Sequence, residues 1–172
     1  MATVFFHGVA TLTSGELPEL NNVAPDFQLT NFNMLDISLA AFSGQKKLLA
    51  ILPSIDTPVS VAVARKFEHK AEFLQSHNTQ TLVVSADLPF AQCRFATNEY
   101  LTTLTWLSSF RSTFAQDYGI MITDGILRGL PATALVLIDE NNHVIYTQLV
   151  ADLCAEPDYE TLFTCLSSVD SY

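Results

Sequence analysis

Apolar and polar positions along the chain follow two periods, and the switches between them mark out the elements. Residues 46–52, KKLLAIL, run almost without a polar break, as a strand covered on both faces does. Residues 81–86, TLVVSA, repeat that pattern. Between them Ser60, Val63, Phe67, Ala71 and Leu74 recur at steps of three and four, which predicts one helix from Pro58 to about Gln75 with Arg65, Lys66, Glu68 and Glu72 off its apolar stripe. Residues 89–98, PFAQCRFATN, open on Pro89 and predict a second helix. Residues 132–139 and 143–150 are strands joined through the turn-forming ENN, a hairpin signal. Residues 157–169 predict a last helix, with Pro157 in its first turn and Tyr159, Leu162, Phe163 and Leu166 on one face. DFQLT, residues 26–30, reads as a short strand, and the N-terminal residues before it as a strand or hairpin; residues 101–107 alternate weakly and fit a strand or an irregular segment.

Strand and helix alternate and then give way to an antiparallel pair, which predicts an α/β protein with a mixed central sheet flanked by helices, the layout of thioredoxin-like folds. No repeat, linker or low-complexity segment divides the 172 residues, so one domain over 1–172 is expected. A formal net charge of −10 disfavours nucleic acid and anionic membrane surfaces, which need clustered Lys and Arg. No apolar stretch approaches the roughly 18 residues of a membrane helix. The N-terminus lacks the basic region of a signal peptide, and the three cysteines, Cys93, Cys154 and Cys165, lack the spacing of a zinc site or a disulfide framework. A reducing cytoplasm, no metal and no cofactor are the expectations.

Five segments together carry a resemblance: APDFQLT (24–30), PSIDTPVSVAVARKF (53–67), SADLPFAQCRF (85–95), LIDENNHVIYTQLV (137–150) and EPDYETL (156–162). They resemble the bacterial thiol peroxidases, an atypical two-cysteine branch of the peroxiredoxins, and they span almost the whole chain. The resemblance implies a thioredoxin-like core with an N-terminal hairpin, a homodimer, and thioredoxin as the reducing partner of any activity that remains.

It also implies a site, position by position. The family has a Pro, a Thr four residues on, and the peroxidatic Cys three residues after the Thr; Pro53 and Thr57 match, and the Cys position is Ser60. A peroxidatic thiolate attacks the O–O bond of a peroxide and becomes a sulfenic acid, and a helix N-terminus favours that thiolate. With Thr57 as N-cap and Pro58 at the first helical position, Ser60 falls in the first turn facing inward. A serine hydroxyl is far less acidic than a thiol and lacks its polarizable sulfur. The position matching the family's resolving Cys is Ala96, and the position matching its active-site Arg is Thr133, while Cys93 sits one helical turn before Ala96. A Cys→Ser exchange made in the laboratory would account for Ser60 alone, not for Ala96 and Thr133. The residues therefore predict a thiol-peroxidase fold that has lost hydroperoxide reduction. The competing reading is an active thioredoxin-dependent peroxidase, seen as a Cys-substituted variant or working through Cys93.

The remaining chemistry-bearing residues read as structural. TPVSVAV has neither the G-x-S-x-G turn nor a nearby His for a hydrolase serine. His7, His69, His77 and His143 have no ligand spacing. Cys93, Cys154 and Cys165 read as small packing residues, and Asp56 and Asp87 as caps for the elements that follow them.

Overall fold

A computed structural model describes residues 1–169; residues 170–172 of the expected domain lie outside the described residues. Strands β1 (Thr3–Phe6) and β2 (Val9–Leu12) pair antiparallel as the expected N-terminal hairpin. Its turn is His7–Gly8, with φ of 49° and 77°, the two left-handed residues that a tight hairpin with right-handed strand twist demands.

The central sheet has seven strands in the order β4-β3-β7-β6-β5-β8-β9. β5 (Lys46–Leu52) lies inside it, parallel to β6 (Thr79–Ser85) and antiparallel to β8 (Ala134–Ile138), and all seven of its residues are buried. That burial explains the unbroken apolar run. Its two lysines close the strand at the bottom edge, where Lys47 Nζ donates to the Asp139 carbonyl and to Asn142 Oδ1 at 2.7 Å each. β7 (Thr105–Ser108) runs parallel to β6, β9 (Val144–Leu149) antiparallel to β8, and β3 (Leu29–Thr30) and β4 (Asp36–Ile37) form the far edge.

Alternate residues of each inner strand feed opposite cores. Leu48, Ala50, Leu52, Val83, Leu135 and Leu137 face the helical layer of α1 (Pro58–His69), α2 (Ala71–Ser76), α3 (Pro89–Asn98) and α5 (Tyr159–Val169), through Val63, Phe67, Leu74, Ala96, Leu162 and Leu166. Leu49, Ile51, Leu82, Val84, Ala134 and Val136 face the other layer, built from Phe27, a 3-10 turn at Leu39–Phe42, and the short α4 (Phe114–Asp117). The expected mixed sheet between helices is present.

Three local expectations are corrected, and one left open, at 101–107, is decided. The helix from Pro58 toward Gln75 is two helices: the Lys70 N–H splits between the Lys66 and Phe67 carbonyls at 3.2 and 3.1 Å, a local tightening that ends α1 before α2 starts. The strand expected at 26–30 is only Leu29–Thr30, because the Asp26 carboxylate accepts from the Phe27 and Leu39 amides and holds the preceding residues out of the ladder. In 101–107 only Thr105 onward is strand; the Glu68 carboxylate accepts from the amides of Thr102 and Thr103 and fixes the approach as a loop. The last helix starts at Tyr159, not in a turn containing Pro157, since Asp158 Oδ1 caps it by accepting from the Glu160 and Thr161 amides.

Candidate functional site

The loop between β5 and α1 carries the expected site. Leu52 ends the strand, Pro53 follows buried, and Thr57 caps α1 with its Oγ1 accepting from the Ser60 amide at 3.1 Å. The same threonine hydroxyl donates to Ser60 Oγ at 2.7 Å. Ser60 itself is only 2% exposed. The N-terminal turn of α1 thus presents a neutral hydroxyl, already hydrogen-bonded, where the expected chemistry needs an anion-forming thiol.

Asp87 belongs to this loop and not to the helix after it. Its carboxylate accepts from Ser54 Oγ and from the Ile55 amide, both at 2.8 Å, while α3 starts from Leu88 without a side-chain cap. Ser108 Oγ donates in turn to the Asp87 carbonyl. The cap expected of Asp87 is therefore a clamp: it ties the loop after β6 to the loop after β5, whose strands are neighbours, and so fixes where α1 begins. The cap expected of Asp56 is Thr57.

Thr133 lies directly before β8. Ala134 pairs with Ile51, which sets Thr133 beside the end of β5 from which Pro53 continues, and its carbonyl accepts from the Val150 amide at 2.9 Å. It is 1% exposed and carries no charge into the site. Pro53, Thr57, Ser60 and Thr133 are thus gathered at one end of the sheet.

Ala96 and Cys93 part company. The buried face of α3 is Pro89, Gln92 and Ala96, and Ala96 packs into the core with Val63 and Leu52. Cys93, 100° around the helix from Gln92, is exposed. The packing role expected of Cys93 is overturned, and so is that of Cys154, which is exposed as well; Cys165 is half-buried, and burial pushes its thiol pKa up. Arg65 is exposed too: it donates from Nε to Glu99 Oε2 at 2.9 Å and joins α1 to the end of α3. His69 is exposed on α1, and His77 Nδ1 contacts the Phe73 carbonyl at 2.8 Å.

Outside the loop lies a cavity of about 500 Å³. Pro53, Thr57 and Pro58 form one wall, Leu127, Leu130 and Leu153 another, and His7 and Cys154 stand at its edge. Sequence reasoning had no local signal for this cavity, because its walls come from the hairpin turn, the start of α1, the loop before β8 and the segment after β9. Among the described residues no group of three or more His, Cys, Asp or Glu side chains could hold a metal ion, and no helix is long and apolar enough to cross a membrane.

Comparison with known proteins accords with this architecture. The Redoxin family matches residues 19–163. A thiol peroxidase of Corynebacterium glutamicum is 42% identical over 167 residues, covering 97% of this chain and all of the relative, and one of Mycobacterium tuberculosis is 40% identical over 168 residues, covering 98% of this chain and all of the relative. Among solved structures, a peroxiredoxin-like protein from Aquifex aeolicus superposes with a TM-score of 0.91 at 28% identity, covering 98% of each chain. A thiol peroxidase from Chromobacterium violaceum does so with 0.88 at 25% identity, covering 98% of this chain and 97% of its own. A two-stranded N-terminal hairpin, a mixed seven-stranded sheet and near full-length relatives on both sides of the comparison leave one assignment: the chain belongs to the thiol peroxidase family of the peroxiredoxins, with the thioredoxin-like fold.

Proposed function

We propose that this member has lost hydroperoxide reduction and acts by binding, through the surface around the Pro53–Ser60 loop. One observation carries the reading: the residue that the resemblance matches to the peroxidatic Cys, Ser60, is buried, neutral and held by Thr57. Peroxide reduction transfers an oxygen to sulfur, and a hydroxyl oxygen cannot be oxidised in that way at any achievable acidity. Thr133 offers neither the charge nor the fork of donors by which a guanidinium would steady a thiolate and polarise a peroxide. Ala96 at the resolving position removes the partner thiol. The protein so read is a single domain working as a homodimer in a reducing cytoplasm, without cofactor, metal, nucleic acid or membrane.

Peroxide consumption coupled to thioredoxin, its reductase and NADPH tests the reading. The expected result is no turnover of hydrogen peroxide or of alkyl hydroperoxides above that of free cysteine. A rate far above free cysteine that persists in the Cys93→Ala, Cys154→Ala variant overturns it. The exposure of Cys93 supports one rival, a peroxidase working from α3 with thioredoxin as reductant; turnover abolished by Cys93→Ala alone is its signature.

A further inference from the structure

At the mouth of the 500 Å³ cavity two chemistry-bearing side chains meet that are 147 residues apart in the chain: Cys154 Sγ lies 3.8 Å from His7 Nδ1. Neither belongs to the Ser60 constellation. Backbone bonds fix both partners. The Phe5 amide donates to the Ala151 carbonyl at 2.7 Å and the Leu153 amide to the Phe5 carbonyl at 2.8 Å, which lays residues 151–153 along β1. The Cys154 amide donates to Asp152 Oδ1 at 2.9 Å, and the left-handed His7–Gly8 turn sets the imidazole. A second hollow of about 200 Å³ shares Phe6, His7 and Leu127 with the first and continues past Val9 and Ile126, so apolar wall extends on both sides of the pair.

We propose that Cys154 and His7 form a covalent capture site for uncharged, apolar-tailed carbon electrophiles of the α,β-unsaturated carbonyl class. The tail lies against Leu127, Leu130 and Leu153, and the reacting double bond sits at Sγ. The proposal goes beyond the loss of peroxide chemistry and rests on that reading only in taking this face as a binding surface.

The reaction is an addition and balances without a co-reactant. With the ring proton on Nε2, His7 Nδ1 takes the proton of Cys154 Sγ. The sulfur electron pair forms a C–S bond at the β-carbon, the C=C pair moves toward the carbonyl as an enolate, and the imidazolium returns the proton to the α-carbon. Nothing is oxidised or reduced, and nothing leaves. The surroundings favour addition over displacement. Neither hollow is lined by Lys or Arg, so the cation formed there is the His7 imidazolium, whose proton the addition uses at the α-carbon. The other two cysteines stand on α3 and α5, and neither lines the cavity, so Cys154 is the thiol that a bound electrophile meets. Asp56 on the rim and a net charge of −10 disfavour an anionic ligand.

Cys93, equally free and exposed, is an internal control. The intact protein is treated with trans-2-nonenal or with acrolein, the same electrophile without a tail, and adducts are placed by peptide mass spectrometry. General base assistance contributes on the order of 10²-fold and should appear as that much slower nonenal labelling of Cys154 in His7→Gln, with Cys93 unchanged. Cys154 should outpace Cys93 with both aldehydes, by a wider margin with nonenal than with acrolein, and Leu130→Asn should narrow that difference; circular dichroism checks the fold of each variant. Equal nonenal rates at Cys93 and Cys154, or a rate at Cys154 indifferent to His7→Gln, overturns the proposal. Faster oxidation of Cys154 by an alkyl hydroperoxide than addition of nonenal overturns the assigned electrophile class. Peroxide turnover by the untreated protein would refute the lost-peroxidase reading and leave the adduct measurements standing, so the two failures are distinguishable.

Discussion

Replacing Thr57 by valine removes one hydroxyl and keeps the shape, which isolates what that hydroxyl holds. In the native protein it accepts from the Ser60 amide at 3.1 Å and donates to Ser60 Oγ at 2.7 Å. Ser60 is 2% exposed, so water has little access to replace either bond. Loss of a threonine N-cap costs about 1 kcal/mol, within a range of roughly 0.5–2. A buried polar group left without a partner costs about 1–3 kcal/mol. Those two figures overlap for the Ser60 amide, which is the capped donor, and the hydroxyl of Ser60 adds a separate loss. The expected destabilisation of Thr57→Val is therefore about 2 kcal/mol. For a chain of this size that corresponds to a drop in melting temperature of roughly 4–8 °C.

Ser60→Ala is the informative companion. It deletes the buried hydroxyl and leaves the amide capped, while the half-buried Thr57 hydroxyl keeps its acceptor role. Its cost should lie well below that of Thr57→Val, and the double variant should cost less than the sum, with a coupling of about 1 kcal/mol because the two residues share a bond. Urea titration of the four proteins gives the cycle directly, provided the slope with urea stays constant. Two results refute the reasoning: Thr57→Val costing under about 0.5 kcal/mol, the lower limit for losing a cap, or Ser60→Ala costing more than Thr57→Val.

Two further outcomes follow from the same geometry. Ser60→Cys alone should yield a thiol that reacts slowly with peroxide, and adding Thr133→Arg should lower the thiol pKa by roughly 1–3 units and raise the rate more than either change alone; equal rates of sulfenic acid formation in the single and double variants would mean that Thr133 does not stand where the guanidinium acts. Stability should also fall on acidification. The carboxyls of Asp36, beside Arg111 and Thr30, of Asp124, bonded to Thr11 and the Leu12 amide, and of Asp158, capping α5 through Thr161, are all held below the ordinary carboxylate value of 3.8. A folded-state value below the unfolded one means that this contribution is complete above about pH 4–5 and is lost as pH drops through the folded-state values. Thermal melts between pH 6 and pH 2 should show that decline, and Asp158→Asn should flatten it; an unchanged slope in that variant would remove the cap from the explanation.

How much of this was readable in the chain depends on how far the deciding contact reaches. β5 and β6 were legible because covering both faces makes their middles, Leu48 to Leu52 and Leu82 to Val84, continuously apolar, and the start of α1 was legible because Thr57 and Pro58 are a cap and a first-turn proline within two residues. The division of α1 from α2 at Lys70 was not: no Pro or Gly marks it, and the Ser60-to-Leu74 stripe runs through the break unchanged. Asp87 was assigned to the wrong partner because a cap is local, whereas its acceptors serve Ser54 and Ile55, residues 33 and 32 earlier, brought near only by the pairing of β5 with β6. Cys93 and Ala96 are three apart and looked equivalent; the buried face centres on Gln92 and Ala96, so one turn separates a core methyl from a solvent-facing thiol. The meeting of Cys154 with His7 had no local signal at all, since it depends on residues 151–153 pairing with β1.

On the proposed reading, in which Ser60 and Thr133 stand where the family's Cys and Arg stand, the two replacements are best understood as one change. A guanidinium at 133 would sit beside the end of β5 in a place 1% exposed, and there its charge needs a counter-charge, because an unpaired buried ion costs several kcal/mol. A thiolate at position 60 would supply that partner; the Ser60 hydroxyl does not. Once position 60 is neutral, an Arg at 133 becomes a liability, and a small neutral residue such as Thr133 relieves it. The reverse order is less harmful, since a thiol without its cation can stay protonated. Meanwhile the parts that shape the loop are indifferent to what occupies position 60: Thr57 caps through the backbone amide of Ser60, Pro58 fixes the first turn, and Asp87 grips Ser54 and Ile55. Under the proposed loss of peroxide chemistry the two charges go as a pair and leave the loop's scaffold in place, which accords with a fold that matches the Chromobacterium violaceum thiol peroxidase over 98% of this chain and closes on a hydrogen-bonded serine.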